Sequence, residues 1–581
     1  MKKRTGIKIA VGIIVVILFV VAGMTIIRIV EKLTPNKEQV SAVELYPVAA
    51  GEAHLFVWQN QYEKNALYRD RMVYLDQETV QALLHTDFYF DEKEQLLSYV
   101  KPTEIIRILV GEDGYYVNKE RVALSAPAVL LEGEMLYYSL ELLTAFADVR
   151  YQFYPEPDRV LLSIGSKDLL YMSTTKATAL RERPDLKARV IFELTDNTRV
   201  LYAEGEGDGE NGYLRVMTEE GIYGYIRKKD LTETFYETIT STWQEPEFTH
   251  LLSEEKVILG WHQVTTAAAN KNLEGLIKSN GQLNVISPTW FRLSTEAGTV
   301  SSIAEEDYVS KAKEYGLSVW GLVDNFDSSV STYAVLSSTS AREHLVEELI
   351  SLALKYQLDG INIDFENLSL ETGPHFIQFL RELSVRCRVE GLVLSVDNYV
   401  PTDYAAYYDW RSQGKVVDYV VIMAYDEHYA GSPVAGSVAS YGYLTKAVDD
   451  ILTMVAKEQV IMAVPFYTRL WTEKETPEGT KLSSAALSMQ IAENELKKNK
   501  ITAEWDDVTK QYYAEYRNSS GLNKIWLEEK DSLREKLLYI KNAELAGAAV
   551  WRLGLEKPEV WELFDFETLA PLPSEDTEEA Q

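Results

Sequence analysis

From about Glu245 to Leu569 the chain alternates apolar segments of strand length with amphipathic helical ones, over a length suited to one large domain. Eight segments read as strands: Lys256–Trp261, Leu283–Ser287, Ser318–Val323, Ile361–Phe365, Leu392–Asp397, Tyr419–Ala424, Val460–Val464 and Gly547–Trp551. The alternation restricts this region to a parallel α/β barrel or a doubly wound sheet. Eight strands favour the closed form, a (β/α)8 TIM barrel over residues 245–570.

One strand in this series carries chemistry. Ser340-Ala-Arg-Glu343 reads as a capping box, and Leu345, Leu349, Leu352, Ala353 and Tyr356 follow at helical spacing, predicting a helix to about Gln357. Leu358-Asp-Gly360 turns the chain into Ile361–Glu366, which alternates strictly: Ile361, Ile363 and Phe365 on one side, Asn362, Asp364 and Glu366 on the other. On a barrel strand the polar set points inward and climbs towards the C-terminal mouth, where active sites of this fold sit. Two carboxylates about 7 Å apart along the backbone in a partly buried site cannot both ionise cheaply, so one pKa is expected to rise. Glu366, nearest the mouth, is the better placed general acid. An inward Lys or Arg partner, or a divalent metal, would use the same spacing. None of the seven histidines shows paired metal spacing, and the single cysteine, Cys387, excludes an intrachain disulfide framework and a cysteine metal cluster. Neither a metal nor a cofactor is expected.

The N-terminal part is modular. Ile9–Ile27 is a run of 19 residues without a formal charge, preceded by Lys2, Lys3, Arg4 and Lys8. At about 1.5 Å per residue such a run spans roughly the 30 Å of a bilayer core. Residues 1–30 are therefore expected to be a cytoplasmic N-terminus and transmembrane anchor at the cell membrane, with the bulk of the chain extracytoplasmic. A cleaved signal peptide is the alternative, but the run is long for one and Val21-Ala-Gly-Met24 is a poor cleavage site. Residues 31–50 read as a stalk, 51–166 as a small α+β module with a helix at Tyr138–Phe146, and 571–581 as a disordered acidic tail. The formal net charge of −31 is spread along the chain and disfavours nucleic acid as a partner.

Three resemblances add to these readings. The stretch from Ala126 to Leu162 resembles the stalk modules called copper amine oxidase N-terminal-like, without implying copper, since His54 and His85 lie outside it. Residues 186–232 carry five or so short strand signals and end in Gly221-Ile-Tyr-Gly-Tyr-Ile-Arg-Lys-Lys-Asp-Leu231, resembling a bacterial SH3-like barrel, an all-β module that binds wall peptides or spaces other domains. Asp359-Gly-Ile-Asn-Ile-Asp-Phe-Glu366 resembles the signature of family 18 glycoside hydrolases, Asp-Gly-x-Asp-x-Asp-x-Glu, departing from it at Asn362. Ser287-Pro-Thr-Trp-Phe291, Met423-Ala-Tyr-Asp426, Val464-Pro-Phe-Tyr-Thr-Arg469 and Val550-Trp-Arg-Leu-Gly554 look like that family's second, sixth, seventh and eighth strand ends, in order.

The family 18 resemblance implies substrate-assisted retention. Glu366 would protonate the glycosidic oxygen while the 2-acetamido oxygen of the substrate attacks the anomeric carbon. Asp364 would hold the acetamido N–H, and Tyr425 its carbonyl. Asp426, Asn362, Trp551, Trp290, Trp320 and Asp324 are further candidates for the sugar site, though tyrosines and tryptophans also fill barrel cores. Asn362 and Ser395-Val-Asp-Asn-Tyr-Val-Pro401 are more similar to the spore-germination and cortex-lytic branch, which implies a peptidoglycan-type glycan containing N-acetylglucosamine. A chitinase-type enzyme, a non-catalytic glycan-binding protein on the same barrel, and a scaffold with a vestigial barrel are the alternatives.

Overall fold

The computed structural model describes residues 2–571 apart from 279 and 478. The expected acidic tail lies outside the described residues except for Pro571. Two compact units are present. One comprises the chain up to Asp87 together with Ile108–Glu245, and the other joins Phe88–Arg107 to the chain from Pro246 onward.

In the second unit eight strands form the barrel: β1 Val257–His262, β2 Val285–Leu293, β3 Ser318–Asp324, β4 Gly360–Asp364, β5 Val393–Tyr399, β6 Tyr419–Met423, β7 Val460–Pro465 and β8 Gly547–Trp551. Each pairs in parallel with the next, and β8 also pairs with β1, so the sheet closes. Strands covered on both faces read as continuous apolar runs, and β6 is buried at every position. Outward-facing Ile361, Ile363 and Phe365 join Phe376, Phe379 and Leu383 under the helices, while Trp261, Trp320, Tyr419 and Val421 fill the interior.

The strand register corrects one expectation. Trp320 sits opposite Gly360 at the start of β4, 3% exposed, its ring stacked on Tyr419 at 5.5 Å. It plugs the barrel interior and does not line a sugar cleft. Gly360 leaves room for this plug: a Cβ there would lie 2.8 Å from Trp320 Cδ1 and 2.8 Å from the Val393 carbonyl oxygen. Asp359, the first aspartate of the signature, ties strand starts together by accepting the Val319 N–H at 2.9 Å.

The helix α1, Thr339–Lys355, begins two residues earlier than the capping box implies, because Ser338 caps it by accepting the Ala341 N–H. Glu343 is instead engaged by Arg107, from the segment Phe88–Arg107. The next helix, α2 Gly373–Glu390, follows β4 and buries Cys387. Between β7 and β8 lies an antiparallel sheet that the sequence reading passes over, built from Tyr467–Thr476, Gly479–Ser488, Glu504–Asp506, Gln511–Asn518 and Gly521–Trp526.

The first unit starts with a helix, Lys2–Leu33, whose Ile7–Leu33 segment has a mean hydropathy of 3.0. Among the described residues it is the one helix long and apolar enough to cross a membrane. A sheet ordered Val129–Glu132, Met135–Ser139, Met72–Asp76, Ala66–Arg69, Glu52–Val57, Arg159–Ile164 and Val149–Tyr154 follows. Its helix runs Leu140–Phe146, shorter than expected, because Tyr138 and Ser139 pair with Leu75 and Tyr74 in the sheet and Ser139 caps the helix through the Leu142 N–H. A second, seven-stranded antiparallel sheet spans Lys167–Ser173 to Phe235–Ile239, so strands on both sides of residues 186–232 take part in it.

Candidate active site

The inward face of β4 begins with Asn362, wholly buried. Its side-chain oxygen accepts from Trp261 Nε1 at 3.0 Å and Ser287 Oγ at 2.9 Å, and its amide nitrogen donates to Ser395 Oγ at 3.0 Å and Asp397 Oδ1 at 2.7 Å. Every hydrogen-bonding position of the amide is thereby used, joining β1, β2, β4 and β5. Asn362 was a candidate to touch sugar; saturated and buried, it holds the carboxylate layer above it instead.

Above it lies Asp364, 6% exposed and level with Asp324 of the neighbouring strand. Its Oδ1 is buried without a hydrogen-bond partner. Burial, then the charges of Asp397, Glu366 and Asp324, push its pKa well above the usual carboxylate range. Asp397 is pushed up to about 8, chiefly by burial, against the lowering effect of the Asn362 amide. An acid whose folded pKa exceeds its unfolded value of about 3.9 favours folding while protonated, so this contribution is lost as pH rises from about 4 towards about 8. Asp397→Asn keeps an acceptor for Asn362. It is expected to lose less stability than the wild type between about pH 5 and pH 8 in denaturant unfolding; equal losses at both would contradict the assignment.

Glu366 follows β4, half-buried at the C-terminal mouth. Burial raises its pKa, the hydrogen bond from Tyr399 lowers it, and Asp426 and Asp324 raise it again. Tyr399 Oη donates to Oε2 at 2.5 Å. Asn325, just past β3, clamps the backbone of Glu366: its Oδ1 accepts the Glu366 N–H and its Nδ2 donates to the Glu366 carbonyl, both at 3.0 Å. Asn367 then turns the chain away with φ of 54°, a left-handed value that asparagine tolerates better than most residues.

Two cavities flank the strand. One of about 340 Å³ is bordered by Asp364, Trp551, Asp324, Arg292 and Phe326, the other of about 550 Å³ by Glu366, Asn325, Phe326 and Tyr333. Trp551 is half-buried, edge-on to Trp261 at 6.0 Å, and borders the first cavity. Asp324 is held by Arg292 through two hydrogen bonds of 2.6 and 3.0 Å. Tyr425 is half-buried over the interior cluster, and burial raises its pKa well above the usual phenol value, followed by Tyr467 and the carboxylates Asp364, Asp397 and Glu366. Asp426 is exposed at φ of 56°, and its Oδ1 accepts from Tyr467.

Trp290 needs a correction. It borders the first cavity, but its ring is covered: the residue is 2% exposed, Nε1 donates to Asn270 at 2.7 Å, and the ring packs edge-on against Tyr308. A covered ring offers no face for a sugar to stack on. Asp364, Glu366, Tyr425, Asp426, Asp324 and Trp551 are therefore brought to the barrel mouth, whereas Asn362, Trp290 and Trp320 are packed inside. Three polar partners escaped the sequence reading. Asp397 and Tyr399 lie at alternate positions after Ser395, the same period-two signal that marked β4. Asn325 carries no such signal, since its role depends on the adjacency of β3 and β4.

Residues 281–556 match the family model described as Glycosyl hydrolases family 18. The barrel is similar to that family. The chain is 28% identical to the "Cortical fragment-lytic enzyme" of Bacillus subtilis (strain 168) over 235 residues, which cover 39% of this chain and 54% of that protein. It is 25% identical to the "Uncharacterized glycosylase YvbX" of the same organism over 312 residues, covering 51% of this chain and 88% of that one. Among solved structures, the Bacillus megaterium QM B1551 spore cortex-lytic enzyme SleL has 23% identity and a TM-score of 0.48, over 54% of this chain and 75% of that chain. The chain thus spans about half the length of the cortical fragment-lytic enzyme it matches.

Proposed function

We propose that the protein is a membrane-anchored, extracytoplasmic glycoside hydrolase that cleaves β-linked N-acetylglucosaminyl bonds in peptidoglycan or a related wall glycan. The observation that carries this reading is the buried, unpartnered Oδ1 of Asp364 beside the raised-pKa acid Glu366. A buried acceptor left empty costs about 1–3 kcal/mol, and a 2-acetamido N–H satisfies it.

The chemistry then follows. Glu366 gives its proton to the glycosidic oxygen as the bond from the anomeric carbon breaks, and the acetamido carbonyl oxygen closes on that carbon to form an oxazolinium ion. Asp364 holds the acetamido N–H, Tyr425 steadies its carbonyl, and Trp551 carries an apolar sugar face. The Glu366 carboxylate next takes a proton from water, which attacks the same carbon and opens the ring. Two displacements leave the configuration unchanged. Proton NMR of the first-formed product is expected to show the β anomer ahead of mutarotation, and an initial α anomer would contradict substrate assistance.

The Ile7–Leu33 helix supports anchoring, and basic residues before it support a cytoplasmic N-terminus. In this reading residues 51–87, 108–166 and 186–232 form the stalk modules, and a wall peptide is the ligand of the SH3-like one. The similarity to the cortical fragment-lytic enzyme favours peptidoglycan over chitin.

A further inference from the structure

The segment Phe88–Arg107 belongs with the barrel although it lies in sequence between the two parts of the first unit. Its strands Tyr89–Asp91 and Leu96–Lys101 pair as a hairpin, with Tyr89 opposite Ser98 and Asp91 opposite Leu96. The hairpin contacts α1 and α2 through polar groups.

Asp91 Oδ2 accepts the Thr339 N–H at 2.7 Å, and Glu94 Oε1 accepts the Ser340 N–H at 2.9 Å and the hydroxyls of Ser338 and Ser340, each at 2.7 Å. Two of the first-turn amides of α1 are thus satisfied by carboxylates from the hairpin, which also face the positive end of the helix dipole. Arg107 pairs with Glu343 at 3.0 Å and Glu382 at 3.2 Å, and Glu382 pairs in turn with the wholly buried Arg342 at 3.2 Å. Arg342 lies over the Tyr89 ring, donates to Tyr89 Oη at 3.0 Å and to the Leu336 carbonyl at 2.7 Å. Tyr89 Oη meets His375 Nδ1 at 2.7 Å, and the His375 ring lies edge-on to Tyr333, which borders the cavity beside Glu366.

Leu336 lies in the last turn of a short helix, Thr332–Ser337, whose first residue is held by Asn325: Nδ2 donates to Thr332 Oγ1 at 3.0 Å. The same Asn325 clamps the backbone of Glu366. A continuous series of contacts therefore runs from Tyr89 through Arg342, the helix Thr332–Ser337 and Asn325 to the acid. We infer that the hairpin 88–107 is a positioning element for Glu366, with Tyr89, Asp91, Glu94 and Arg107 fixing the loops after β3 and β4. The inference rests on Glu366 being the acid of the proposed reaction. It also means that the catalytic body is discontinuous in sequence, and that a piece starting near residue 245 lacks part of its support.

The test uses the full chain and two variants, Tyr89→Phe, which keeps the ring, and the double variant Asp91→Ala/Glu94→Ala. Hydrolysis of solubilised peptidoglycan gives kcat and KM, and amide hydrogen exchange is followed in peptides covering 325–338 and 361–368. A fall in kcat of about 10-fold or more with KM within about twofold, together with faster exchange in those peptides and unchanged exchange in β6–β8, supports the inference. Wild-type kcat and exchange in both variants overturn it. Should the double variant loosen everywhere, Tyr89→Phe decides. Should the wild type hydrolyse nothing, the proposed function fails, while exchange at the Glu366 amide, which Asn325 accepts, still decides the positioning role.

Discussion

Glu366→Gln is expected to lower kcat by about 10²–10⁴-fold while KM changes little. Glutamine fills the same space, and its carbonyl oxygen can still accept from Tyr399. The backbone clamp by Asn325 does not involve the side chain. What the amide lacks is a proton to give, so the leaving oxygen departs without help and the second step has no base. The thermal midpoint should stay within about 2 °C of the wild type, which separates lost chemistry from lost folding. Reducing-end kinetics with a parallel melt check this, and a variant keeping more than about a tenth of the activity would mean that another group is the acid. The direction of the Glu366 shift adds a pH signature. Because burial raises its pKa, the protonated acid persists above the ordinary glutamate range, and activity declines as pH rises through that raised value.

Asn362→Asp is the second large effect, and its size depends on pH. The change supplies the aspartate of the family 18 signature but sets a carboxyl oxygen against Asp397 Oδ1, where the amide now donates at 2.7 Å. In acid both carboxyls keep their protons and the fold survives. As pH rises towards about 8 the pair loses a proton, and the charge left in a wholly buried layer has no cation to compensate it, at a cost of about 3–5 kcal/mol. The folded pKa of the new acid is raised, so its favourable contribution is lost with rising pH. Denaturant unfolding should place the variant near the wild type at about pH 5 and well below it at about pH 8. Parallel stabilities at both would show that the Asn362 amide is not what makes the buried carboxylates tolerable.

The barrel was legible because strands buried on both faces leave apolar runs bounded by turns, and the eight predicted segments match the observed ones to within two residues at their ends, except that β2 runs six residues further. The acid was legible for a different reason: alternation in Ile361–Glu366 sorts the polar residues onto one face before any neighbour is known. The same periodicity could have exposed Asp397 and Tyr399 on β5. Depth along the barrel axis was not legible. Trp320, Trp290 and Asn362 belong to strands that do reach the mouth, but which residue of a strand lies at the floor depends on the register with its neighbours, and Trp320 falls opposite Gly360 at the bottom. Ser338 caps α1 locally, but the first-turn amides of Thr339 and Ser340 are taken up by Asp91 and Glu94, some 245 positions away in the chain. No local pattern reports amide acceptors supplied at that distance. The sheet between β7 and β8 was overlooked because it interrupts the strand and helix alternation that organises the rest of the domain.

The most direct measurement of the central claim is release of reducing ends by the full chain from purified peptidoglycan, from the same material after chemical N-deacetylation, and from chitin oligosaccharides. The account predicts cleavage of the N-acetylated wall glycan and loss of nearly all activity on the deacetylated form, because the acetamido group that would attack the anomeric carbon is gone. Equal cleavage of the two forms, or binding without any cleavage of N-acetylated glycan, would contradict it.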